Sequence, residues 1–344
     1  MSATKLYNYW KNGFERSGLK SELIEEYLTY IEPLIKNDVP IIFDFNHLCL
    51  LLGKEQDYLA SVINSNNSHY RKFEISKRKG GKRTITAPYP ALLECQNWIY
   101  INILTKVKIH SSAHGFTFNK SILSNSKVHL GQSHFLKIDL KDFFPSIEIN
   151  KVIAIFKSLG YTHKVSFYLA SICCCDDILP QGSPTSPILS NIVSKNLDNR
   201  LMKFSKRFNL KYTRYADDLA FSGDSIPVTY IEYITNIINS CGFTVNEKKT
   251  VLQQEKHKRI ITGISIADDV IKVPRKYKRE LKLEIHCIRK HGLLGHMRKH
   301  KIKNPDYLLS IIGKIHFWIS VEPDCKYARK ALDDLTKKYG EEYR

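Results

Sequence analysis

Hydrophobic residues in the first part of the chain recur at the spacing of amphipathic helices. One apolar face runs from Leu23 to Ile35, and a second helical stretch covers residues 48–52. Ser21 precedes the first face and is predicted to cap its helix. This part of the sequence shows packing and none of the side-chain combinations that catalysis requires. We therefore predict a helical N-terminal region over residues 1–68.

The pattern changes near residue 71, where two strand-like runs extend to residue 88 and meet at Gly80-Gly81. A glycine pair between such runs predicts a tight hairpin turn. Basic residues crowd this turn, namely Lys77, Arg78, Lys79, Lys82 and Arg83. A basic hairpin suits phosphate groups, although charged hairpin tips also occur on protein surfaces where they contact only water.

Helical and strand-like patterns alternate through the middle of the chain. Helical spacing returns over residues 90–108, and a short apolar strand ends at Asp139. Apolar residues from Leu189 to Phe204 keep helical spacing and predict one long helix. A hairpin, an amphipathic helix and further strands follow over residues 211–223, 226–241, 259–266 and 270–273. This order predicts an α+β fold in which a sheet carries two or more helices.

Two adjacent carboxylates, Asp217 and Asp218, interrupt the hairpin of residues 211–223. Aromatic and β-branched residues precede them, and Leu219 and Phe221 alternate after them, so the pair lies at a tight turn between strands. Side by side the two charges repel by ~4 kcal/mol at ~4 Å in an effective dielectric near ~20. A divalent cation would relieve this repulsion. Asp is also a common turn residue, so the pair alone is compatible with a plain polar turn.

A third carboxylate lies at the end of another strand. Asp139 closes a short apolar run, where the backbone carbonyl of Leu140 can also face a hard cation. Three carboxylates from separate elements can hold two Mg²⁺ ions that keep open positions for water and phosphate. Two such ions stabilise the attacking and leaving oxygens of an in-line phosphoryl transfer. The predicted metal ligands are thus Asp139, Leu140, Asp217 and Asp218, and the predicted chemistry is nucleotidyl transfer.

The charge of the chain narrows the class of partner. Its 344 residues include 53 Lys and Arg against 34 Asp and Glu, a net charge of +19. Such an excess is typical of proteins that bind polyanions, and nucleic acid is the leading candidate. An anionic membrane is the alternative, but no basic amphipathic helix with an aromatic face supports it. Residues 272–303 contain 12 Lys or Arg and two Glu at mostly helical spacing, which suits contact with a nucleic-acid backbone.

The sequence also bears on where the protein acts. No apolar run approaches the ~18 residues that span a bilayer, and the N-terminus lacks the apolar core of a signal peptide. These features predict a cytoplasmic protein with no membrane partner. Its eight cysteines are expected to be reduced there. The run Cys173-Cys174-Cys175 follows a helix-like apolar stretch, which predicts small buried hydrophobic residues.

Three blocks of residues occur together in a fixed order. Asp139 is followed five positions later by Phe144, and the two other blocks are Pro180-Gln181-Gly182-Ser183-Pro184 and Tyr215-Ala216-Asp217-Asp218. In this combination the chain resembles a reverse transcriptase from Arg71 onward. The resemblance implies an RNA-directed DNA polymerase.

More narrowly, the chain resembles the bacterial retron reverse transcriptases. That family carries Asn-Ala-x-x-His before the first carboxylate block and Val-Thr-Gly after the catalytic hairpin. The matching segments here are Asn125-Ser126-Lys127-Val128-His129 and Ile261-Thr262-Gly263. Both departures from the family pattern are small in volume, although Ser126 adds a hydroxyl.

The resemblance implies a role for each matching residue. Asp139 and Asp217 would bridge two Mg²⁺ ions, and Asp218 would support the ion on the primer side. Phe144 would block a 2′-hydroxyl and so select deoxynucleotides. Gln181 would contact the incoming nucleotide.

Basic residues receive roles by the same resemblance. Arg83, with help from Lys77 or Lys82, would hold the triphosphate of the nucleotide. Lys249 is the candidate general acid for pyrophosphate, and the neighbouring Lys248 is an equally available alternative. The residues expected to contact RNA are Asn125, His129, Lys272, Arg275, Lys276 and Arg279.

The architecture implied by the family is a right-hand polymerase. Fingers would cover residues 69–134, a palm with an antiparallel sheet residues 135–266, and a basic, RNA-binding thumb residues 267–344. The helical region of residues 1–68 would be an N-terminal extension to this hand.

The family also implies partners and a product. Retron enzymes bind a dedicated structured noncoding RNA and prime from the 2′-hydroxyl of a guanosine within it, giving a branched RNA–DNA molecule, msDNA. Retron systems resemble antiphage defence modules, so an accessory effector or toxin protein is expected. Two alternatives stay open at this point: a group II intron-like reverse transcriptase, and a non-catalytic RNA-binding scaffold that kept the fold.

Overall fold

Four helices form the N-terminal part of the chain, in a computed structural model that describes residues 3–77, 80–253, 259–267 and 270–339. They are α1 (Ala3–Arg16), α2 (Ser21–Lys36), α3 (Phe45–Leu52) and α4 (Gln56–Asn64). The apolar face of α2 buries Leu28, Ile31 and Leu34. The prediction that Ser21 caps α2 is wrong, because the helix already begins at Ser21 and Lys20 occupies the capping position.

A two-stranded hairpin follows, as the glycine pair predicted. Strands β1 (Tyr70–Ser76) and β2 (Lys82–Pro88) pair antiparallel, with Tyr70 opposite Pro88 and Ser76 opposite Lys82. Both turn glycines have positive φ, 91° at Gly80 and 81° at Gly81, which side chains with a Cβ rarely adopt. Arg78 and Lys79 of the basic turn lie outside the described residues. Helices α5 (Pro90–Asn102) and α6 (Ile122–Lys127) come next.

The central antiparallel sheet carries most of the buried core. Its strands are β3 (His134–Lys141), β4 (Lys211–Tyr215), β5 (Asp218–Gly223), β6 (Thr244–Val245) and β7 (Val251–Gln253). They are arranged in the order β4-β5-β3-β6, and β7 also pairs with β3. Five helices accompany this sheet: α7 (Ile149–Ser158), α8 (His163–Cys173), α9 (Ser186–Val193), α10 (Lys195–Arg207) and α11 (Thr229–Ser240).

Two expectations about the helices beside this sheet have different outcomes. The single long helix predicted through Leu189 and Phe204 is wrong, because the chain forms α9 and α10 with a break at Ser194. Both helices bury apolar residues in the same core, so helical spacing continues across the break. Burial of Cys173, Cys174 and Cys175 is confirmed.

The C-terminal part has a sheet and a core of its own. Strands β8 (Arg259–Ile261), β9 (Ile264–Ala267) and β10 (Val270–Lys272) form a three-stranded antiparallel sheet in the order β10-β9-β8. Four helices follow, α12 (Arg275–His291), α13 (Leu293–Lys299), α14 (Tyr307–Val321) and α15 (Lys326–Tyr339). Their apolar faces pack in a cluster separate from that of the central sheet. Among the described residues, no helix combines the length and apolar composition needed to cross a membrane.

Candidate active site

The hairpin between β4 and β5 presents the paired carboxylates. Its loop has two residues, Ala216 and Asp217, and Asp218 is the first residue of β5, directly opposite Tyr215. Ala216 has a φ of 55°, in the left-handed region that residues with a Cβ seldom occupy. The tight turn predicted from the sequence is therefore present, with a strained backbone immediately before Asp217.

Pairing between β3 and β5 brings the third carboxylate to this turn. Asp139 lies opposite Asp218 in the antiparallel register, so the two side chains share one face of the sheet. The backbone N–H of Leu140 donates to the carbonyl of Asp217 at 2.9 Å, which ties β3 to the loop. Asp139 is only 5% exposed. Three carboxylates from two separate parts of the sequence thus meet at one end of the sheet.

Neighbouring amines and an amide partly compensate these charges. The Lys249 Nζ atom lies 2.9 and 3.1 Å from the two oxygens of Asp139, and Asn246 Nδ2 donates to Oδ1 of the same carboxylate at 3.1 Å. The Lys137 amine lies 2.8 Å from Asp218. The hydrogen bond to Asp139 raises the pKa of Lys249. The pKa of Asp217 is raised by burial and by the negative charges of the two other aspartates.

The donor set fits a divalent cation. Three carboxylates face two ammonium groups, which leaves excess negative charge at Asp217. Mg²⁺ in proteins is held by one or two carboxylates, while water and substrate phosphates fill its other positions. Within the described part of the chain, no group of three or more His, Cys, Asp or Glu side chains is arranged as a metal site. An ion held here would need water or substrate oxygens as its further ligands.

A single cavity of about 660 Å³ joins the carboxylates to the basic hairpin. Most of the residues predicted for metal and nucleotide binding line it, namely Lys77, Lys82, Arg83, Asp139, Leu140, Phe144, Gln181, Asp217 and Lys249. Asp218 lies beside the cavity, at the first position of β5. Two lysines are candidates for the general acid, and both are exposed. Lys249 lines the cavity and Lys248 does not.

The loop that carries Gln181 is held against β2. The backbone N–H of Thr86 donates to the carbonyl of Gln181 at 2.9 Å. A Cβ atom at Gly182 would lie 2.7 Å from the Thr86 carbonyl oxygen, and its φ is 144°, so this close approach requires glycine. Gln181 and Arg83 therefore border the same cavity although nearly 100 residues separate them.

A buried ion pair beneath the hairpin of Asp217 was missed by the sequence reasoning. Arg214 and Asp198 are fully buried, and Arg214 donates to the two Asp198 oxygens at 2.8 and 2.7 Å. Arg214 Nη1 also donates to Asn191 at 3.0 Å and to the carbonyl of Ala216 at 3.2 Å. Tyr212 donates to Asp198 at 2.8 Å. The signal in the sequence was a charged residue inside the strand that leads into the turn of Asp217.

A second missed contact lies on the other side of the turn. A Cβ atom at Gly115 would lie 2.7 Å from the backbone nitrogen of Ala216, so only glycine fits there. Its carbonyl accepts from Asn191 Nδ2 at 2.9 Å. Asn191 thereby connects the loop of Gly115 to the Arg214 network. The strained turn is held from two sides by buried polar contacts.

Two residues expected to contact RNA lie inside the protein. His129 is 1% exposed, and its ring nitrogens lie 2.7 Å from Ser222 Oγ and 2.8 Å from Thr213 Oγ1. Burial, with a smaller contribution from His114, lowers its pKa to about 3, so the ring is neutral near pH 7. Asn125 is also 1% exposed. The expectation of direct RNA contact by Asn125 and His129 is corrected accordingly, because the fold encloses both side chains.

These buried residues instead connect the two family-like segments. Asn125 Nδ2 lies 3.5 Å from Thr262 Oγ1. The Ser126 hydroxyl donates to the Ile122 carbonyl at 2.9 Å and also lies 3.4 Å from the Ile261 carbonyl oxygen. The hydroxyl that distinguishes Ser126 from the family's alanine thus contacts the residue that replaces the family's valine. Both departures from the pattern lie at one contact.

The other residues expected to bind RNA are exposed on the C-terminal part. Lys272 ends β10, while Arg275, Lys276 and Arg279 lie on the first turns of α12. Lys276 lies 3.8 Å from Glu280, an exposed pair one helical turn apart that holds the charge only weakly. These side chains are accessible to a polyanion.

Comparison with known proteins identifies the class of enzyme. A family model described as reverse transcriptase (RNA-dependent DNA polymerase) matches residues 75–266, more than half of the chain. Retron Ec86 reverse transcriptase of Escherichia coli is 35% identical over 311 residues, which cover 88% of this chain and 92% of that protein. Retron Mx162 reverse transcriptase of Myxococcus xanthus is 33% identical over 263 residues, which cover 66% of this chain and 54% of that protein.

More distant similarities also exist. A putative COX1/OXI3 intron 1 protein of Saccharomyces cerevisiae is 26% identical over 281 residues, covering 58% of this chain and 33% of that protein. The structure of telomerase from Candida albicans in complex with a TWJ fragment of telomeric RNA has a TM-score of 0.44 at 12% identity, covering 78% of this chain and 63% of that chain.

The matched family defines a reverse transcriptase, an RNA-directed DNA polymerase with the right-hand fold. Within that class, this chain belongs to the retron reverse transcriptases. Its partners therefore include an RNA template and nucleotide substrates, and enzymes of this class generally use divalent metal ions.

Proposed function

We propose that this enzyme copies a structured noncoding RNA into DNA from the 2′-hydroxyl of a guanosine primer, giving a branched RNA–DNA product. The polymerase part of the proposal is supported by the cavity in which Asp139, Asp217, Phe144, Gln181 and Arg83 meet, and its primer and product by the similarity to retron reverse transcriptases. Acidic, aromatic and basic groups around one space match the metal, sugar and triphosphate of a bound deoxynucleotide.

Two Mg²⁺ ions are the proposed cofactors. Asp139 and Asp217 would hold both ions, Asp218 would support the ion on the primer side, and the Leu140 carbonyl would add a ligand. When bound, the ions supply positive charge that offsets the charge developing on the phosphate oxygens. Support comes from the geometry, because Asp139 lies opposite Asp218 in the sheet and lines the same cavity as Asp217.

The nucleotide would be oriented by residues from three parts of the chain. Arg83, with Lys77 or Lys82, would bind the triphosphate, because all three line the cavity and guanidinium and ammonium groups favour phosphate. Lys82 also contacts Glu74 at 2.6 Å on the exposed hairpin, which makes Arg83 the stronger candidate. Gln181 would contact the nucleotide from the opposite loop.

Lys249 is the proposed general acid for the leaving pyrophosphate. Its ammonium group lies at the carboxylate end of the cavity, 2.9 Å from Asp139, and a lysine side chain is protonated near pH 7. A proton held there can pass to the leaving oxygen as negative charge develops on it. The position of Lys249 in the cavity lining favours it over Lys248.

The division of the chain follows the same proposal. Residues 69–134 would form the fingers, residues 135–266 the palm and residues 267–344 the thumb, with residues 1–68 as the N-terminal extension. Exposed basic residues at the start of the thumb would hold the RNA, namely Lys272, Arg275, Lys276 and Arg279. We place the enzyme in the cytoplasm, where transcripts and deoxynucleotides meet, and propose that it serves antiphage defence with an accessory effector or toxin protein.

Sequencing the nucleic acid that copurifies with the enzyme tests the identity of template and product. We expect one small RNA covalently joined to DNA through a 2′-phosphodiester at a guanosine, detectable as a species that resists separation under denaturing conditions until it is debranched. Recovery of a long intron RNA, or of unlinked DNA alone, would contradict the proposed priming chemistry while leaving the polymerase assignment intact.

Replacement of Phe144 by Ala is expected to increase ribonucleotide incorporation. The half-buried ring lines the cavity, and removing it opens space for a 2′-hydroxyl. Steric exclusion by such a group is typically worth ~1–3 kcal/mol, so the preference for dNTP over rNTP should fall about 10- to 100-fold. The measurement is the ratio of kcat/KM for the two nucleotides on an RNA template.

A matched control for this change is Phe167→Ala, which removes a partly exposed ring on α8. It should leave the sugar preference at the wild-type value. Equal preference in Phe144→Ala and wild type would remove the proposed gate role of Phe144.

The thumb proposal predicts a steep dependence of RNA binding on salt. Each phosphate contact lowers the slope of log K against log salt by ~0.7 to 0.9. The double variant Arg275→Gln/Arg279→Gln should therefore reduce the magnitude of the slope by roughly 1.5. Fluorescence-anisotropy titrations at several salt concentrations measure it.

The comparison for the thumb variant is Lys20→Gln/Lys36→Gln, which removes the same charge from exposed sites in the N-terminal region. Its salt slope should match that of the wild type. Identical slopes in all three proteins would rule out phosphate contact by Arg275 and Arg279.

A further inference from the structure

A loop outside the three family blocks adds an aromatic ring to the cavity. Phe116 lines the cavity, and 45% of its surface is exposed. Its ring centroid lies 6.2 Å from that of Phe144 and 6.5 Å from that of Tyr215, at tilted angles. Phe116 thus lies between the proposed sugar gate and the catalytic hairpin.

The loop that carries Phe116 is firmly attached to the catalytic strand. The His114 N–H donates to the Arg214 carbonyl at 2.7 Å, and the Arg214 N–H donates to the Ser112 carbonyl at 2.8 Å. At the far end of the loop, Lys120 Nζ donates to the carbonyl of Ala113 at 3.0 Å. These bonds make the position of Phe116 part of the hairpin scaffold.

The backbone at Phe116 is strained. Its φ is 56°, a conformation that bulky residues rarely adopt. The preceding Gly115 packs so closely on Ala216 that a Cβ there would lie 2.7 Å from its backbone nitrogen. Strain of this kind persists where surrounding contacts enforce it, and it is concentrated at functional sites.

The ring of Phe144 is held from two directions. On the inner side it contacts Phe143, with centroids 5.5 Å apart, and Phe143 is itself buried against Phe243 at 5.7 Å. On the cavity side its aromatic neighbour is Phe116. Tilted aromatic pairs at these distances attract beyond their buried area and restrict one another's orientation.

We infer that Phe116 is a positioning residue for sugar discrimination, because it braces the Phe144 ring in the orientation that excludes a 2′-hydroxyl. This inference rests on the proposed gate role of Phe144. Loss of the Phe116 ring lets the Phe144 ring turn away from the sugar, so a ribonucleotide enters more readily. The strained backbone of this loop holds the Phe116 ring in place beside Phe144 in the cavity.

The test compares kcat/KM for dNTP and rNTP in Phe116→Ala, Phe116→Tyr and Phe144→Ala. Phe116→Ala is expected to lower the dNTP preference by about 3- to 10-fold, the value of one aromatic contact. Phe116→Tyr keeps the aromatic ring and should show the wild-type preference for dNTP. In Phe116→Ala/Phe144→Ala the dNTP preference should fall as far as in Phe144→Ala alone, because Phe116 acts only through the Phe144 ring, which is already absent.

Phe118→Ala is the matched control, since this ring is in the same loop and 90% exposed. The sugar preference of this variant should be unchanged.

If Phe144→Ala loses discrimination and Phe116→Ala keeps it, the positioning role of Phe116 is refuted and the gate role of Phe144 stands. If Phe144→Ala itself discriminates like the wild type, the gate and the brace both fail. An equal rise in KM for both nucleotides in Phe116→Ala would indicate a direct base contact and refute positioning. Should Phe116→Ala fail to fold, Phe116→Leu, which keeps apolar bulk without the ring, takes its place.

Discussion

Replacement of Asp217 by Asn is expected to abolish DNA synthesis on an RNA template while the protein stays folded. The change keeps the shape of the side chain but removes the charge that would hold both cations. Charge stabilisation by a bound metal is worth several kcal/mol, so kcat should fall on the order of 10³-fold. The measurement is dNTP incorporation with Mg²⁺ on a primed RNA template.

Stability provides an independent check on the Asp217 variant. Burial and two neighbouring aspartates raise the pKa of Asp217. A group whose folded pKa is raised in this way destabilises the fold when it is ionised, above that pKa. Near pH 7 a neutral Asn removes this penalty, so the melting temperature should not decrease.

Asp224→Asn is the control for the loss of charge, because Asp224 is an exposed aspartate just beyond β5. It should retain full activity. Wild-type activity in Asp217→Asn would contradict the metal assignment. Lost activity together with a lowered melting temperature would point to misfolding instead of lost metal binding.

Replacement of Arg214 by Met is expected to produce the largest loss of folding stability. It leaves the carboxylate of Asp198 buried without its cationic partner, although the Tyr212 hydroxyl still donates to it. Breaking a buried ion pair from one side typically costs ~3–5 kcal/mol. Urea unfolding monitored by circular dichroism measures the change. Activity should fall as well, because Arg214 donates to the carbonyl of Ala216, next to the proposed metal ligand Asp217.

The partner variants make the Arg214 prediction specific. In Arg214→Met/Asp198→Leu both charges are absent, so the double variant should be more stable than Arg214→Met alone. Lys106→Met breaks an ion pair whose side chains are 39% and 80% exposed, and it should cost under ~1 kcal/mol. Equal losses of folding stability in Arg214→Met and Lys106→Met would show that the buried ion pair stabilises the fold no more than the exposed one.

The same network shows why sequence reasoning located the acidic groups and missed their support. Asp217 and Asp218 were found because two like charges at a predicted turn are costly without a cation, a local property of neighbouring residues. Asp139 was found because it ends an apolar run. The partner of Arg214 is Asp198, 16 positions earlier on a different element. No short-range pattern in the sequence links these two residues.

His129 illustrates the opposite error. A histidine in a family-like segment of a basic protein suggested contact with RNA, yet its ring nitrogens are held by Thr213 and Ser222, 84 and 93 positions away. Whether a polar side chain faces solvent depends on which elements pack over it. That outcome is decided by the pairing of β4 and β5 and by the position of α6 against them.

The sequence by itself determined the hairpin of residues 71–88, the turn that bears Asp217, the α+β class and the excess positive charge. These follow from local spacing, glycine conformations and repulsion between adjacent charges, which act over a few residues. Only the tertiary structure decided that Asp139 lies opposite Asp218, that Arg214 and His129 are buried, and that Phe116 stands beside Phe144. Those facts depend on contacts between residues distant in the sequence, whose free energy exists only once the elements have packed together.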